Sequence, residues 1–248
     1  MAGHSKWHNI KIRKGKQDAI RGKVFTKVSR EILMAARSGS SDPEANFRLK
    51  MAIAKAREVN MPMSNVERII EKASGAGADA MEELTYEGYG PAGVAIIVEA
   101  ATDNRNRTAA EIRVTFSKNG GNLGETGCVG WMFDRRGVIT VAAGVDEEKL
   151  LEVAMEGGAL DMSGDEDGFE ILTEPTELHA CKDAVEKAGF KVESASIAMI
   201  PKNTVEVSRA DAPTVLKLME LLEEHDDVQQ VYANFNIPSE VLEELAAT

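Results

Sequence analysis

Residues 137–200 read GVITVAAGVDEEKLLEVAMEGGALDMSGDEDGFEILTEPTELHACKDAVEKAGFKVESASIAMI, and this stretch decides the fold class. Periodicity and turn residues predict six elements: a strand over 137–142, a helix over 146–156, strands over 159–163 and 168–173, a helix over 175–188 and a strand over 191–200. That is a complete β-α-β-β-α-β unit, the split βαβ or ferredoxin-like arrangement. On its far side, a strand over 204–208, a helix over 211–224 and a strand over 228–235 make one more βαβ half. On its near side, the continuous apolar run Val94–Ala100 suits a buried strand, followed by a helix over Arg107–Lys118. Gly120-Gly121 marks a turn, and Cys128–Phe133 reads as a further strand. Neither half has another partner. The expected division is therefore a second ferredoxin-like domain built from 82–135 plus 202–238, with the 137–200 domain inserted between its halves.

Further out, residues 1–76 read as a helical domain. Ile20, Val24, Val28, Ile32 and Ala35 recur at helical spacing over Lys16–Arg37, while Lys16, Lys23, Lys27, Arg30 and Arg37 fall on another face. Gly22 costs roughly 1 kcal/mol within such a helix and is the point at which it could break. Asp42 as N-cap with Pro43 at the first helical position opens the next helix, which runs to about Val59. Ser64 and Glu67 form a capping box for a third. Residues 73–78, small and flexible, form a linker. The fold class is α+β with three domains.

Of 248 residues, 43% are apolar and 28% charged, the profile of a globular protein long enough for a sizeable core. No run of 18 apolar residues occurs, the opening segment has no apolar core of a secretory signal, and two cysteines are too few for a disulfide framework. A cytoplasmic protein with no membrane association is expected. The net charge of −12 divides unevenly: residues 1–72 hold 16 Lys/Arg against 7 Asp/Glu, and residues 73–248 hold 13 against 34. A basic arm on an acidic body grips phosphate locally and is repelled by it elsewhere.

Several motifs carry less than their letters suggest. Gly88-Tyr89-Gly90-Pro91-Ala92-Gly93 matches a dinucleotide fingerprint, but a strand follows it where a helix is required, and Pro91 removes a donor. A structural turn is the better reading. Ser163–Glu174 nearly fits a calcium loop, yet strands flank it, so an acidic hairpin is expected. His4 and His8 lack a companion ligand, His179 and His225 read as surface residues, and neither cysteine has the partners of a nucleophile. No catalytic residue, metal, cofactor or small-molecule substrate is expected, and the chain shows no sign of an enzyme.

What remains is the arm. Lys6, Lys11, Arg13, Lys14, Lys16, Arg21, Lys23, Lys27 and Arg30 are opposed within the first thirty residues only by Asp18. Trp7 stands among them, and an indole beside cations can stack on an exposed base. Nucleic-acid binding is the expected use of this segment. A second candidate contact is the loop Asn104, Arg105, Asn106 and Arg107, whose amide and guanidinium donors open a helix; an ordinary capped loop is the competing account. The Lys16–Arg37 helix offers mainly Lys and Arg, which suit phosphate better than base edges, so RNA is favoured over sequence-specific DNA readout.

These residues resemble a known family. MAGHSKWHNIKIRKGKQDAIRGKVFTKVSREI, DPEANFRLKMAIAKAREVNMP, YEGYGPAGVAIIVEA, TDNRNRTAAEIR and GGNLGETGCVGWMF are similar to motifs of the YebC family, which includes the mitochondrial translational activator of cytochrome oxidase subunit one. Ile12, Met63, Ala92 and Cys128 depart from it. The resemblance implies a helical domain followed by two α/β domains and a non-enzymatic role in gene expression. Two roles are implied: a DNA-binding transcriptional regulator, or a ribosome-associated factor that contacts rRNA or tRNA and eases synthesis through proline-rich stretches. An enzyme acting in a cleft between domains and a pure interaction scaffold are the alternatives of other classes.

Overall fold

A computed structural model describes residues 17–74, 81–165 and 168–247. It is an α+β protein with a helical N-terminal part and two antiparallel four-stranded sheets. The helical part comprises α1 (Gln17–Ser38), α2 (Phe47–Glu58) and α3 (Met63–Ser74). Val28, Ile32 and Ala35 of α1 are buried against Leu49, Ala52, Ile53 and Ala56 of α2 and Val66 of α3. α1 runs unbroken through Gly22. α2 begins later than Asp42-Pro43 implied: the Glu44 amide donates to Asp42 Oδ1 at 3.0 Å in a turn, and Asn46 is the N-cap, accepting from the Leu49 amide at 3.1 Å. Asn46 prevails because its own amide group donates to the Ala35 carbonyl at 2.8 Å and the Ser40 carbonyl at 2.7 Å. A carboxylate has no donor for those two carbonyls. α3 starts at Met63, so Ser64 lies inside it rather than capping it, and the Pro62 carbonyl accepts from the Asn65 amide at 2.9 Å.

The rest of the chain runs β1 (Glu82–Tyr89), β2 (Ala95–Thr102), α4 (Arg105–Lys118), β3 (Asn122–Leu123), β4 (Phe133–Ala142), α5 (Glu147–Glu156), β5 (Ala159–Asp165), β6 (Gly168–Thr173), α6 (Leu178–Lys187), β7 (Val192–Pro201), β8 (Val205–Glu206), α7 (Ala212–Glu223), β9 (Val228–Ala233), β10 (Phe235–Asn236) and α8 (Ser239–Ala247). One sheet has the order β5-β6-β4-β7, the spatial order of a split βαβ unit, with Leu150, Ala154, Leu178, Cys181 and Val185 of its helices packed on Ile139, Val141 and Ile171. The other has the order β3-β1-β2-β9. It repeats the same plan with its third strand, β1, moved ahead of β2 in the chain. Ile96 and Val98 of β2 face α4 and α7, while Ala95 and Ile97 face Phe133, Val129 and Tyr232, which is why β2 is apolar on both sides.

Two sequence-based strands fail. Cys128–Phe133 is a turn followed by one 3₁₀ turn over Gly130–Met132, and Phe133 already belongs to β4. Its amides cannot enter a ladder, because those of Gly127, Val129 and Gly130 donate to the Glu87 carboxylate. The 204–208 segment shrinks to β8, which pairs with β10 in a separate parallel ribbon. The place beside β2 goes instead to β1, whose sequence EELTYEGY gives little strand signal. Gly88 is needed there, since a Cβ would come within 2.6 Å of the Asn122 carbonyl oxygen. The Gly88–Gly93 motif closes the β1–β2 hairpin through one 3₁₀ turn, with Ala92 at φ 59°, and opens no helix. β5 and β6 pair out to Asp165↔Gly168, so the acidic stretch is flanked by strands. Among the described residues, no helix is long and apolar enough to cross a membrane.

The β4–β7 sheet draws all its strands and both covering helices from one continuous segment. A fragment of residues 133–201 is therefore expected to fold alone, with amides of Ile139, Ile171 and Val185 protected against hydrogen exchange. Its weak point is Phe133, buried against Ala95, Ile97 and Tyr232 outside the fragment. Absence of protection across the fragment would show that the sheet depends on its neighbour.

Candidate nucleic-acid interface

Lys6, Trp7, Lys11, Arg13, Lys14 and Lys16 lie outside the described residues, as do His4 and His8, and the side chain of Arg21 is not described. Lys23, Lys27 and Arg30 are described, and they face the body of the protein. Lys23 Nζ donates to the Glu224 carbonyl at 3.3 Å, Lys27 Nζ to the Glu223 carbonyl at 2.5 Å, and Arg30 to the Asp226 carbonyl. The first two carbonyls end α7, where the helix dipole presents partial negative charge that stabilises Lys23 and Lys27, and the third lies in the turn just beyond it. Lys23, Lys27 and Arg30, expected to contact nucleic acid, thus form a docking face onto the body of the protein instead.

The centre of that contact is Asp227. It is buried, and Arg30 Nη2 meets its Oδ1 at 3.0 Å. Its Oδ2 accepts from Thr108 Oγ1 at 2.6 Å, Arg107 Nη2 at 3.0 Å and Thr102 Oγ1 at 3.1 Å. Burial alone would raise its pKa; the hydrogen bonds from Thr108, Arg107 and Thr102, with the charge of Arg30, outweigh burial and hold the carboxyl below the usual Asp range. The two sequence-predicted contact regions, arm and loop, are therefore joined through one carboxylate that sequence reading did not single out. His225 supports it from the other side. Its Nδ1 accepts from the Asp227 amide at 3.1 Å, and its Nε2 lies 2.9 Å from Glu111 Oε2. An accepting Nδ1 places the proton on Nε2, so the ring donates to Glu111. This is an organising histidine, with a side chain 15% exposed, rather than the free surface residue expected.

The loop splits by role. Asn104 caps α4, its Oδ1 accepting from the Arg107 amide at 3.1 Å. Arg107 pairs with Asp103 at 2.9 Å as well as with Asp227. Both belong to the architecture. Arg105 and Asn106 are exposed at the first turn of α4. Beside the loop an open groove of about 610 Å³ runs between Lys23 and Arg30 on one wall and Arg107, Glu111 and His225 on the other.

Comparison with known proteins bears on this arrangement. Residues 5–76 match the model of the TACO1/YebC protein N-terminal domain, and residues 81–235 match that of the TACO1/YebC second and third domain. The chain belongs to the TACO1/YebC family. A relative from Carboxydothermus hydrogenoformans is 54% identical over 96% of this chain and 99% of its own length, and one from Geobacter sulfurreducens is 52% identical over 99% and 100%. Both bear the name probable transcriptional regulatory protein. A crystal structure of a conserved hypothetical protein from Aquifex aeolicus superposes with a TM-score of 0.84 at 50% identity, covering 91% of this chain and 94% of that one.

Around the stretch GGNLGETGCVGWMF, residues 120–133, a second buried carboxylate organises the backbone. Glu87 Oε1 accepts from the Gly127 amide at 2.8 Å, and its Oε2 from Val129 at 2.8 Å and Gly130 at 2.6 Å. Burial pushes its pKa up, and these three amides more than reverse that, so the group stays ionised. The loop it clamps holds out Trp131, 64% exposed, whose indole Nε1 donates to the Cys128 carbonyl at 3.2 Å. Tyr89 Oη donates to the same carbonyl at 3.2 Å. The Cys128 thiol is raised above its ordinary pKa by burial and by Glu87, the opposite of what a nucleophile needs. Among the described residues, no group of three or more His, Cys, Asp or Glu converges to hold a metal.

Proposed function

We propose that the protein regulates gene expression by binding nucleic acid, with RNA of the translating ribosome as its target and easier synthesis through proline-rich stretches as the outcome. The observation that carries the reading is the union of the basic helix α1 and the 102–108 loop around Asp227, which puts two donor-bearing regions on one rigid corner. The segment before α1 adds Lys6, Lys11, Arg13, Lys14 and Lys16 in sequence, and these anchor phosphate. Lys23, Lys27 and Arg30 serve the anchor indirectly by fixing its helix to the body. Arg105 and Asn106 supply the second contact, supported there by the capping and ion-pairing of Asn104 and Arg107.

The competing reading, a DNA-binding transcriptional regulator, is favoured by the names of the relatives. α1 argues against base readout, because Lys23, Lys27 and Arg30 face the protein rather than a major groove. If about five arm cations meet phosphates, log affinity should fall against log salt with a slope of roughly −3.5 to −4.5. Changing Lys11, Arg13, Lys14 and Lys16 to Ala should flatten that slope by about 3 with little change in melting temperature. Fluorescence anisotropy on matched RNA and DNA, with ribosome co-sedimentation, checks both. A quadruple variant that binds as the parent does would remove the arm from the mechanism. Occupancy of discrete promoters without ribosome association would select the transcription reading.

A further inference from the structure

The sheet of order β5-β6-β4-β7 ends differently on its two sides. β7 lies against β9 of the other sheet, whereas β5 has a neighbour, β6, on one side only among the described residues. In an antiparallel ladder every second residue of such a strand turns its amide and carbonyl outward, where another chain can pair with them. Proteins commonly blunt an open edge with lysine or proline, and β5 reads ALDMSGD, with neither. α5 roofs this edge, packing on both β5 and α6. Lys149 Nζ of α5 lies 6.0 Å from the centroid of the Phe190 ring, just past the end of α6, which marks the flank of α5 that faces α6. At about 100° per residue, Leu151 and Met155 lie roughly opposite Lys149, on the flank turned from α6 toward the β5 edge. Leu160 is the extra residue of a bulge in β5, between the pairs Ala159↔Thr173 and Asp161↔Leu172. Leu151, Met155 and Leu160 are 42%, 51% and 49% exposed.

The charges around this edge have one sign. Over residues 147–161 the exposed acids are Glu147, Glu148, Glu152, Glu156 and Asp161, against Lys149 alone, which turns to Phe190. Among the described residues none of the five acids is ion-paired. That rim decides what the edge admits. A second copy of the chain would set its own acids against these, and a nucleic-acid backbone would be repelled in the same way. A cationic polypeptide is attracted. Its backbone can continue the ladder from β5, and its apolar side chains can cover Leu151, Met155 and Leu160. We propose that β5 takes an extended segment of a partner protein as a fifth strand, a segment in which Lys or Arg alternates with apolar residues. The open edge supplies the hydrogen bonds, the three apolar side chains supply contact area, and the acids select the cationic partner. This docking site lies apart from the α1 corner and does not depend on nucleic-acid binding there.

The test titrates the full chain with an acetylated, amidated peptide of alternating Lys and Val, followed by amide chemical shifts. The parent should bind it saturably, with the shift changes concentrated in residues 159–165 and along α5. A peptide of alternating Glu and Val should not bind. Nor should the Lys/Val peptide N-methylated at every residue, which keeps the charge but has no amide to donate. Leu151→Ser/Met155→Ser should weaken binding about fivefold or more, as the loss of two apolar contacts implies. Val114→Ser, at an exposed apolar position on α4, should leave it unchanged. If the double variant fails to fold, Glu152→Gln/Glu156→Gln, at exposed positions, should weaken binding in the same direction. No saturable binding by the parent, equal binding of the N-methylated peptide, or shift changes that spare β5 would overturn the docking site. Dimerisation of the parent that protects the β5 amides from exchange would assign the edge to a second copy and overturn the partner. Peptide binding that appears only after Lys11, Arg13, Lys14 and Lys16 are changed to Ala would assign it to the chain's own basic segment, with the same consequence.

Discussion

Asp227→Ala is expected to destabilise the protein by about 3–5 kcal/mol, the range found when one partner is removed from a buried, fully bonded charge cluster. Four donors converge on this carboxylate: Thr102 Oγ1, Thr108 Oγ1, Arg107 Nη2 and Arg30 Nη2. Alanine would leave the Thr102 hydroxyl without its acceptor and Arg30 without its counter-charge, while Arg107 keeps Asp103 and the Thr108 hydroxyl keeps the Asn104 carbonyl. The loss would be felt in both halves of the molecule, since Arg30 belongs to α1 and Thr108 to α4. The apparent melting midpoint should fall by roughly 8–15 °C. The pH dependence follows from the lowered pKa. A group whose folded pKa lies below its unfolded value near 3.9 contributes its full stability above that value and loses it as pH falls through the folded pKa. Urea titrations of parent and Asp227→Asn should therefore differ most at neutral pH and converge in acid, below about pH 4. A cost under about 1 kcal/mol at pH 7 would mean that the clasp is held by the α7 carbonyls rather than by Asp227.

Glu87→Gln is expected to cost about 2–3 kcal/mol and to release the loop that carries Trp131. The Glu87 carboxylate satisfies three amide donors with two oxygens. Glutamine keeps one acceptor oxygen and turns an NH₂ group toward the remaining donors, so at least one of the three amides loses its partner. Because Trp131 and Tyr89 are both oriented by the Cys128 carbonyl in that loop, the Trp131 indole should report the release once the chain's other tryptophan is removed by Trp7→Phe. Its fluorescence should become more quenchable by iodide and its anisotropy should drop at temperatures where the far-UV signal is unchanged. The lowered pKa gives the same window as for Asp227: the stabilisation holds above the unfolded Glu pKa near 4.3 and is lost as pH falls through the folded value. Unchanged tryptophan behaviour in Glu87→Gln would show that the 3₁₀ turn alone fixes the loop.

The α5 and α6 unit was legible because each element is long, periodic and bounded by turn residues. Its strands and helices fall within a few residues of the sequence reading, from β4 starting at Phe133 to β7 ending at Pro201. The basic arm and the 104–107 loop were legible as charge and as donor-rich sequence. Their relation to each other was not. Nothing near Asp227 in the sequence marks it off from Asp226, yet one is the buried hub of the corner and the other offers its backbone carbonyl. The same holds for Glu87, which lies in a strand too short in apolar residues to be recognised, and for the amides of 127–130 that it withdraws from any ladder.

The sequence by itself determined the α+β class, the split βαβ unit, the α1 face that packs on α2 and α3, and the separation of positive from negative charge along the chain. Those features rest on period, turn chemistry and composition, which act over a few residues. Only the tertiary structure decided which strand sits beside β2, that Asn46 rather than Asp42 caps α2, and that α1 turns Lys23, Lys27 and Arg30 toward the end of α7. Each of these depends on a polar group finding its partner far along the chain, such as Arg30 on Asp227 or Asn46 on Ala35. A buried donor or acceptor must be satisfied wherever a partner is available, and no local pattern records where that partner lies.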